Sequence, residues 1–405
     1  MRETRRERLL RTKDSLQRAT FLELFLDLVF VFALTRISAR LITDFTDGQR
    51  GVLAGLGQAL VLFLALWTVW SLTVWSTSWL DPEASIVQVV IVMTMGGAMT
   101  MAVAVPDGFG ARASLFAITF VTLQIGRVTY FYLAAHGRPD PRQSIRILFW
   151  LGLSSPLWVV GGLTNHGALR GWLWSIAVLI DYVGAFFGWP TPRLGAQRLG
   201  VQAIAAEHLA ERYQQFLLIA LGEAIFVIGL AFSGSTFQAE HTGGFVLALA
   251  TTVLLWRIYF HVAGEALDAA ISRSRNASRL ATDMAFAHLT MIAGIVLTGV
   301  GMELFIDEPL GHLPEAWLIA ILGGPALFLA GRSALEFQVF GRVSRSRLLG
   351  LLALGLLALG LLVPATRHLH PIIAGATAAA VLLGVAGADA RRSRRRPTET
   401  PMPPL

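Results

Sequence analysis

The chain has 405 residues, of which 55% are hydrophobic and 15% charged. Its 39 glycines raise the apolar share to roughly 65%, against about 45–50% apolar and a quarter charged in a soluble domain. This composition excludes a compact water-soluble enzyme and a disordered chain, and it predicts an all-α polytopic membrane protein. The absence of cysteine excludes disulfides, thiolate catalysis and cysteine-ligated metal.

Twelve apolar stretches follow one another along the chain, each long enough for a helix of about 20 residues across a bilayer. The runs are continuous, without polar and apolar alternation, which favours helices over a β-barrel. We predict spans at residues 20–42, 52–75, 85–105, 111–135, 145–164, 172–189, 213–233, 243–265, 283–305, 315–336, 346–364 and 370–388.

Basic residues are distributed unevenly between the two sides of this topology. Of the 33 Lys and Arg residues, 24 fall on the side of the N-terminus, six on the other side and three inside spans. The positive-inside rule therefore places both termini in the cytoplasm. The basic ends predict contacts with anionic lipid rather than a nucleic-acid site, and no cleavable signal peptide is apparent.

A weak self-similarity suggests two halves of six helices each. Asp27 and Glu223 precede the same apolar rhythm, Trp67 matches Trp256, and the pair Gly126-Arg127 matches Gly331-Arg332, at offsets of 196, 189 and 205. Parallel repeats of this kind are related by an axis along the membrane normal. We predict a basic N-terminus at 1–19, halves at 20–190 and 213–388, a cytoplasmic linker at 191–212, and a disordered basic, proline-rich tail at 389–405.

Ionisable side chains inside spans are costly and persist when they are paired, hydrated or used. Glu23 and Asp27 are four residues apart and share a helix face. Their mutual repulsion would allow one of them to hold a proton; the alternative is that Glu23 caps the helix and Asp27 pairs with Arg127. The full set is Glu23, Asp27, Arg127, Asp181, Glu223, Arg257, His261, Glu265, His288, Glu303 and Arg332.

Glu223 is the strongest candidate among these, because it lies ten residues into the seventh span. It is either a proton carrier or one half of an ion pair with Arg257 or Arg332. Just before that span, His208, Glu211 and Arg212 lie on neighbouring helix faces. These three predict either a cytoplasmic ion-pair latch or an interfacial amphipathic turn.

His261 and Glu265 lie four residues apart, and His288 on the next span could complete a metal site with them. Nothing in the sequence fixes such a third ligand in place, and the HExxH pattern is absent, so we predict no metal site. Glu303 is expected to be paired or to reach the interface. No phosphate-binding loop is present. We expect no cofactor and no enzymatic activity.

Several segments resemble the bacterial low temperature requirement protein A (LtrA) family. They are the opening Phe21-Leu-Glu-Leu-Phe-Leu-Asp-Leu-Val-Phe-Val-Phe-Ala-Leu-Thr35, His208-Leu-Ala-Glu-Arg212 with Leu221-Gly-Glu223, Trp256-Arg-Ile-Tyr-Phe260, and Asp283 with His288, Gly294 and Glu303. The resemblance implies a multi-pass protein of the bacterial inner membrane linked to growth in the cold. Arg36 stands where a glutamine is expected, and Arg257 follows Trp256 where paired tryptophans are usual.

Two functional hypotheses remain open. The first is a secondary transporter or permease for an unidentified small molecule or ion, in which Glu223 and Asp27 take up protons. The second is a membrane factor or sensor that supports growth in the cold without transport, because helix tilt and association respond to bilayer thickness. An intramembrane enzyme is the weakest reading, since no nucleophile or metal constellation can be assembled.

Overall fold

The structure, a computed structural model, describes residues 19–47, 51–135, 141–197, 203–261, 267–274, 276–362 and 369–395, together with Pro403. Within these ranges the chain is built from helices and forms no strand beyond isolated bridges. The α-helices are α1 Phe21–Asp47, α2 Val52–Trp79, α3 Ser85–Ala104, α4 Ala113–Ala135, α5 Pro141–Leu163, α6 Gly167–Phe187, α7 Ala203–Gly234, α8 Ala239–Phe260, α9 Leu267–Arg273, α10 Ala277–Asp307, α11 Trp317–Ile321, α12 Gly323–Phe340, α13 Arg345–Leu361 and α14 Pro371–Arg395.

Each of the twelve predicted stretches coincides with helical structure, the tenth being divided between α11 and α12. Ten helical segments in the described part of the chain are long and apolar enough to cross a membrane. α1 is not among them, and it carries several charged residues. α13 is also not among them and has 17 residues. The all-α polytopic class is confirmed, and the count of twelve crossings stays a prediction.

Helical structure extends past the ends of two predicted spans. α7 begins at Ala203, within the predicted linker 191–212, and α14 continues to Arg395, within the predicted tail 389–405, so the first part of that tail is helical. The first extension is rich in Ala and the second in Arg, which both favour helix, and hydropathy alone does not detect them. Residues 1–18 of the predicted N-terminus, most of the tail and Glu265 lie outside the described residues.

The chain divides into two compact units. Unit 1 comprises Met1–Arg40 and Leu53–Arg212, and unit 2 comprises Leu41–Val52 and Tyr213–Leu405. The division therefore falls inside α1 and inside α7. The predicted domain limits and the predicted duplication remain predictions.

In unit 1, α4 packs against α3 and α5, and α5 packs against α6. An aromatic group fills this region: the ring of Trp158 lies 4.7 Å from that of Phe120 and 5.1 Å from that of Trp174. The indole of Trp174 also donates to the carbonyl of Trp158 at 3.0 Å, which ties α6 to α5.

In unit 2, the most extensive helix contact among the described residues joins α10 and α12, where glycines let the backbones approach. A Cβ atom on Gly294 would lie 2.4 Å from the backbone nitrogen of Phe328. A Cβ atom on Gly324 would lie 2.5 Å from that of Thr298. Small residues at such positions are typical of membrane helices, in which direct backbone approach drives association.

The outer faces of the helices carry large apolar side chains. On α13 the leucines on the exposed side are Leu348, Leu349, Leu352, Leu356 and Leu359, all more than half exposed. A soluble monomer rarely presents so large an apolar patch to water. The surroundings of this protein are therefore a lipid bilayer, which accepts such side chains at no cost.

Candidate functional site: a buried charge cluster at the start of the first helix

The first turns of α1 hold two fully buried carboxylates, Glu23 and Asp27. Glu23 caps the helix, since its Oε2 accepts from the backbone nitrogen of Thr20 at 2.9 Å and from its hydroxyl at 3.0 Å. This is a capping box, in which a threonine and a glutamate three residues further on accept hydrogen bonds from backbone N–H groups of the first turn. His208 and Arg212 of α7 lie against the two carboxylates, and we call these four residues the opening-helix cluster.

Asp27 is held by a bidentate ion pair with Arg212. The two guanidinium nitrogens donate to Oδ2 at 2.7 Å and to Oδ1 at 2.6 Å, and both side chains are fully buried. The indole of Trp70 on α2 donates to Oδ1 at 2.9 Å, and Arg212 also donates to the carbonyl of Glu23 at 3.2 Å. Such fork-to-fork contacts are stronger and more directional than a single bond.

Glu23 faces His208, with Oε1 lying 3.1 Å from Nε2. On the other side of the ring, Nδ1 lies 3.0 Å from the hydroxyl oxygen of Ser78, which itself donates to the carbonyl of Val74 at 2.8 Å. Because the serine proton is used, Nδ1 is the donor in the Ser78 contact. Nε2 and the carboxylate oxygen then need a proton between them, since two lone pairs would otherwise face each other.

The charge balance of the cluster leads to the same requirement. Glu23 and Asp27 contribute two negative charges and Arg212 contributes one positive charge. Charged neighbours of Glu23 include Asp27, His208 and Arg212, while Glu211, partly buried, accepts from the backbone nitrogen of Ala19 at 3.2 Å. One proton on His208 makes the four residues neutral, which matters because all four are buried and an unbalanced buried charge is costly.

The sequence-based pairing of Asp27 with Arg127 is wrong. Arg127 is buried in α4 and, among the described residues, donates to neutral groups alone: the carbonyl of Val69 at 3.1 Å, the hydroxyl of Thr73 at 3.0 Å and the side-chain oxygen of Gln124 at 2.6 Å. The prediction failed because spacing along the chain does not reveal which face of α4 is turned towards α2.

Arg332 of unit 2 makes a contact of the same kind. It donates to the carbonyls of Ile258 at 3.0 Å and of His261 at 2.9 Å. Ile258 follows Val69 by 189 residues, which is also the offset between the matched tryptophans of the two halves. In each unit, then, an arginine that follows a glycine donates to a backbone carbonyl two predicted spans earlier.

Glu223 is fully buried on α7. Neither guanidinium predicted to pair with it does so in the described part of the chain. Arg257 is exposed and donates to Nδ1 of His261 at 3.2 Å, and Arg332 makes the carbonyl contacts given above. His261 in turn contacts the carbonyl of Asp389 through Nε2 at 2.9 Å.

His288 lies on α10 in a fully buried aromatic setting. Nδ1 contacts the carbonyl of Met284 at 2.8 Å, Nε2 lies 2.9 Å from the hydroxyl of Tyr259, and the ring of Tyr213 stacks on it at 4.7 Å. Nδ1 therefore carries the proton and Nε2 accepts from the tyrosine. Glu303 is partly buried near the end of α10, one turn before Asp307.

Sequence reasoning missed an ion network at the ends of α12, α13 and α14. Arg347 pairs with Glu336 and, at 2.6 Å, with Asp389, while Arg392 lies 3.3 Å from Glu336. Hydropathy placed these residues at span ends, where exposure is expected. It also missed Trp70 and Ser78, since only the tertiary structure brings their polar atoms to the cluster.

The fold and the cluster together define a class, namely a multi-pass helical membrane protein with a titratable ion cluster buried inside it. The chain belongs to the family of the bacterial low temperature requirement A protein (LtrA), whose family model matches residues 18–386. It is 37% identical over 322 residues to an uncharacterised protein of Rhizobium meliloti (strain 1021), covering 78% of this chain and 76% of the relative. No solved structure matches this chain.

Proposed function

We propose that this protein is a proton-coupled secondary transporter of the bacterial inner membrane, with both termini in the cytoplasm. Its solute is a small molecule or ion. The activity involves no covalent step, no cofactor and no enzymatic turnover. The opening-helix cluster is the proton-binding element of this proposal.

The observation that carries the proposal is the contact between Glu23 and His208. The imidazole holds the shared proton, because the free carboxyl group is the stronger acid and the two donors of Thr20 favour its charged form. Histidine is the side chain whose ordinary titration falls closest to neutral pH. A buried pair of this kind can therefore gain and lose one proton during a transport cycle.

The position of the cluster also supports transport. It joins the starts of α1 and α7, the helices that open the two predicted halves. The matching contacts of Arg127 and Arg332 favour the six-plus-six duplication, and transporters built from parallel repeats bind their substrates between the repeats. Glu223, buried in α7, remains the candidate for a second carboxylate in the pathway.

Proteoliposomes provide the test. The full-length protein is reconstituted with a pH-sensitive dye inside, and a panel of amino acids, sugars, inorganic ions and organic cations is added in turn under an imposed membrane potential. We expect at least one compound to drive a proton flux in the wild type. Glu23→Gln removes the acceptor for the shared proton and should abolish this flux.

Asp47→Asn is the matched control, because Asp47 lies on the same helix but is exposed. It should leave the flux unchanged. A flux that persists in the Glu23→Gln protein would contradict the proposed role of the cluster. The absence of flux with every compound of the panel would contradict the proposed transport.

A second candidate is a membrane factor or sensor that does not transport, and one observation favours it. Both oxygens of Asp27 are used, by Arg212 and Trp70, as expected of a static lock between helices. A transporter must open the cluster to water in another conformation, whereas a lock stays closed. Proton flux in the panel above separates the two candidates.

A further inference from the structure

Asp181 is a third buried carboxylate of unit 1 and differs from the two of the opening-helix cluster. It lies on α6, about 9 Å from the end at Phe187 at 1.5 Å per residue, inside a segment long and apolar enough to cross the membrane. Its side chain is only 3% exposed. Its Oδ1 atom accepts no hydrogen bond from any described residue.

The groups that face Asp181 are neutral. Ser154 and Trp158 of α5 lie against the carboxyl group, and Tyr182 is its neighbour along α6. Ser154 donates its hydroxyl proton to the carbonyl of Leu151, at 3.4 Å. The hydroxyl of Tyr182 donates to the backbone carbonyl of Leu64 at 3.0 Å. No arginine, lysine or histidine is among the groups that interact with Asp181 within the described residues.

A second atom at this place is also unsatisfied. The indole nitrogen of Trp158 has no hydrogen-bond acceptor among the described residues, although the side chain is fully buried. The ring lies within the aromatic group of Phe116, Phe120 and Trp174, which keeps the surroundings apolar. The indole donor of Trp158 and the Oδ1 acceptor of Asp181 are therefore both buried and both unused within the described residues.

We infer that Asp181 is a proton-binding site, separate from the opening-helix cluster, and that its carboxyl group is protonated at neutral pH. An ionised carboxylate without a cation in a membrane interior is far more costly than a neutral acid. In the neutral form the hydroxyl of the acid can donate to the oxygen of Ser154, and its carbonyl can accept from the otherwise unused indole of Trp158. This inference does not depend on transport and holds for the lock as well.

Infrared spectroscopy of the reconstituted full-length protein tests it, since a protonated carboxylic acid has a carbonyl stretch that a carboxylate lacks. Aspartate labelled with ¹³C at the carboxyl group shifts the bands of aspartic acids and leaves those of glutamic acids in place. We expect one label-sensitive acid band at neutral pH in the wild type. Asp181→Asn should remove it, and Asp47→Asn should leave it unchanged.

Trp158→Phe keeps an aromatic ring and removes the indole donor, so the same band should move to the frequency of a carbonyl without that hydrogen bond. The labelled wild type decides the question even if the Asp181→Asn protein fails to fold. A wild type without a protonated aspartic acid band would overturn the inference, as would a band that survives in the Asp181→Asn protein. Neither result bears on the flux of the Glu23→Gln protein, so the two proposals fail independently.

Discussion

Replacing Arg212 by glutamine tests how strongly the opening-helix cluster holds the two helices together. The substitution removes two charge-assisted hydrogen bonds, of 2.7 and 2.6 Å, and leaves the buried carboxylate of Asp27 with the indole of Trp70. Removing one partner of a buried ion pair costs about 3–5 kcal/mol, because the other charge stays buried without compensation. An ordinary interhelical hydrogen bond in a membrane averages only about 0.6 kcal/mol. The two magnitudes are far enough apart to be distinguished.

The assay is equilibrium unfolding in mixed micelles, which gives the free energy of unfolding of each variant. The control is Arg279→Gln, since Arg279 and Asp283 form an ion pair at 3.8 Å with side chains 63% and 30% exposed. An exposed pair contributes about 0–1 kcal/mol. Arg212→Gln should therefore cost several times more than Arg279→Gln.

The double variant Asp27→Asn with Arg212→Gln completes the cycle. Because it removes both charges together, it should cost less than the sum of the two single substitutions, with a coupling energy of about 2–3 kcal/mol. Additive costs, or equal costs for Arg212→Gln and Arg279→Gln, would refute the view that this pair is a strong buried contact.

Two further predictions concern unit 2. Gly294→Ala places a Cβ atom 2.4 Å from the nitrogen of Phe328 and should cost about 1–3 kcal/mol of unfolding free energy. Gly355→Ala is the control, because a Cβ atom there has nothing within 4 Å, and it should be neutral or stabilising. Equal costs for the two variants in the same unfolding assay would be inconsistent with close contact between α10 and α12. Tyr259→Phe leaves Nε2 of His288 buried without its donor and should lower the thermal unfolding temperature, with a loss of about 1–3 kcal/mol; an unchanged temperature would show that the 2.9 Å contact contributes nothing.

Much of the fold could be predicted from the sequence, because membrane helices are long continuous apolar runs and every predicted run coincides with helical structure. The ends of the helices were harder to predict from the sequence. The first turns of α7, from Ala203, and the last turns of α14, to Arg395, carry charged residues that interrupt the apolar runs, and helix formation there depends on local propensity and on ion pairs with other helices.

The candidate site was predictable in part. The shared face of Glu23 and Asp27 follows from their spacing, and His208 and Arg212 were identified as an ionic group. Their mutual pairing was missed because Arg212 was placed in a linker outside the membrane. The rotation and depth of one helix against another decide which charges meet, and hydropathy measures neither.

Asp181 also shows that the sequence does not reveal which charges meet, although here the missing information is the absence of a charged partner among the described residues. The sequence shows a carboxylate inside a span but does not reveal whether a cation faces it. Only the positions of Ser154 and Trp158 identify it as a carboxyl group without a charged partner among the described residues.

The most direct test of the central claim is the protonation state of His208 in the reconstituted protein. Nitrogen NMR of protein labelled with ¹⁵N-histidine reports it, and the His208→Gln variant assigns the signal among the nine histidines. The account predicts that His208 is a protonated imidazolium at neutral pH and that Glu23→Gln lowers its protonated fraction. A neutral imidazole in the wild type, with no change in the Glu23→Gln protein, would contradict it.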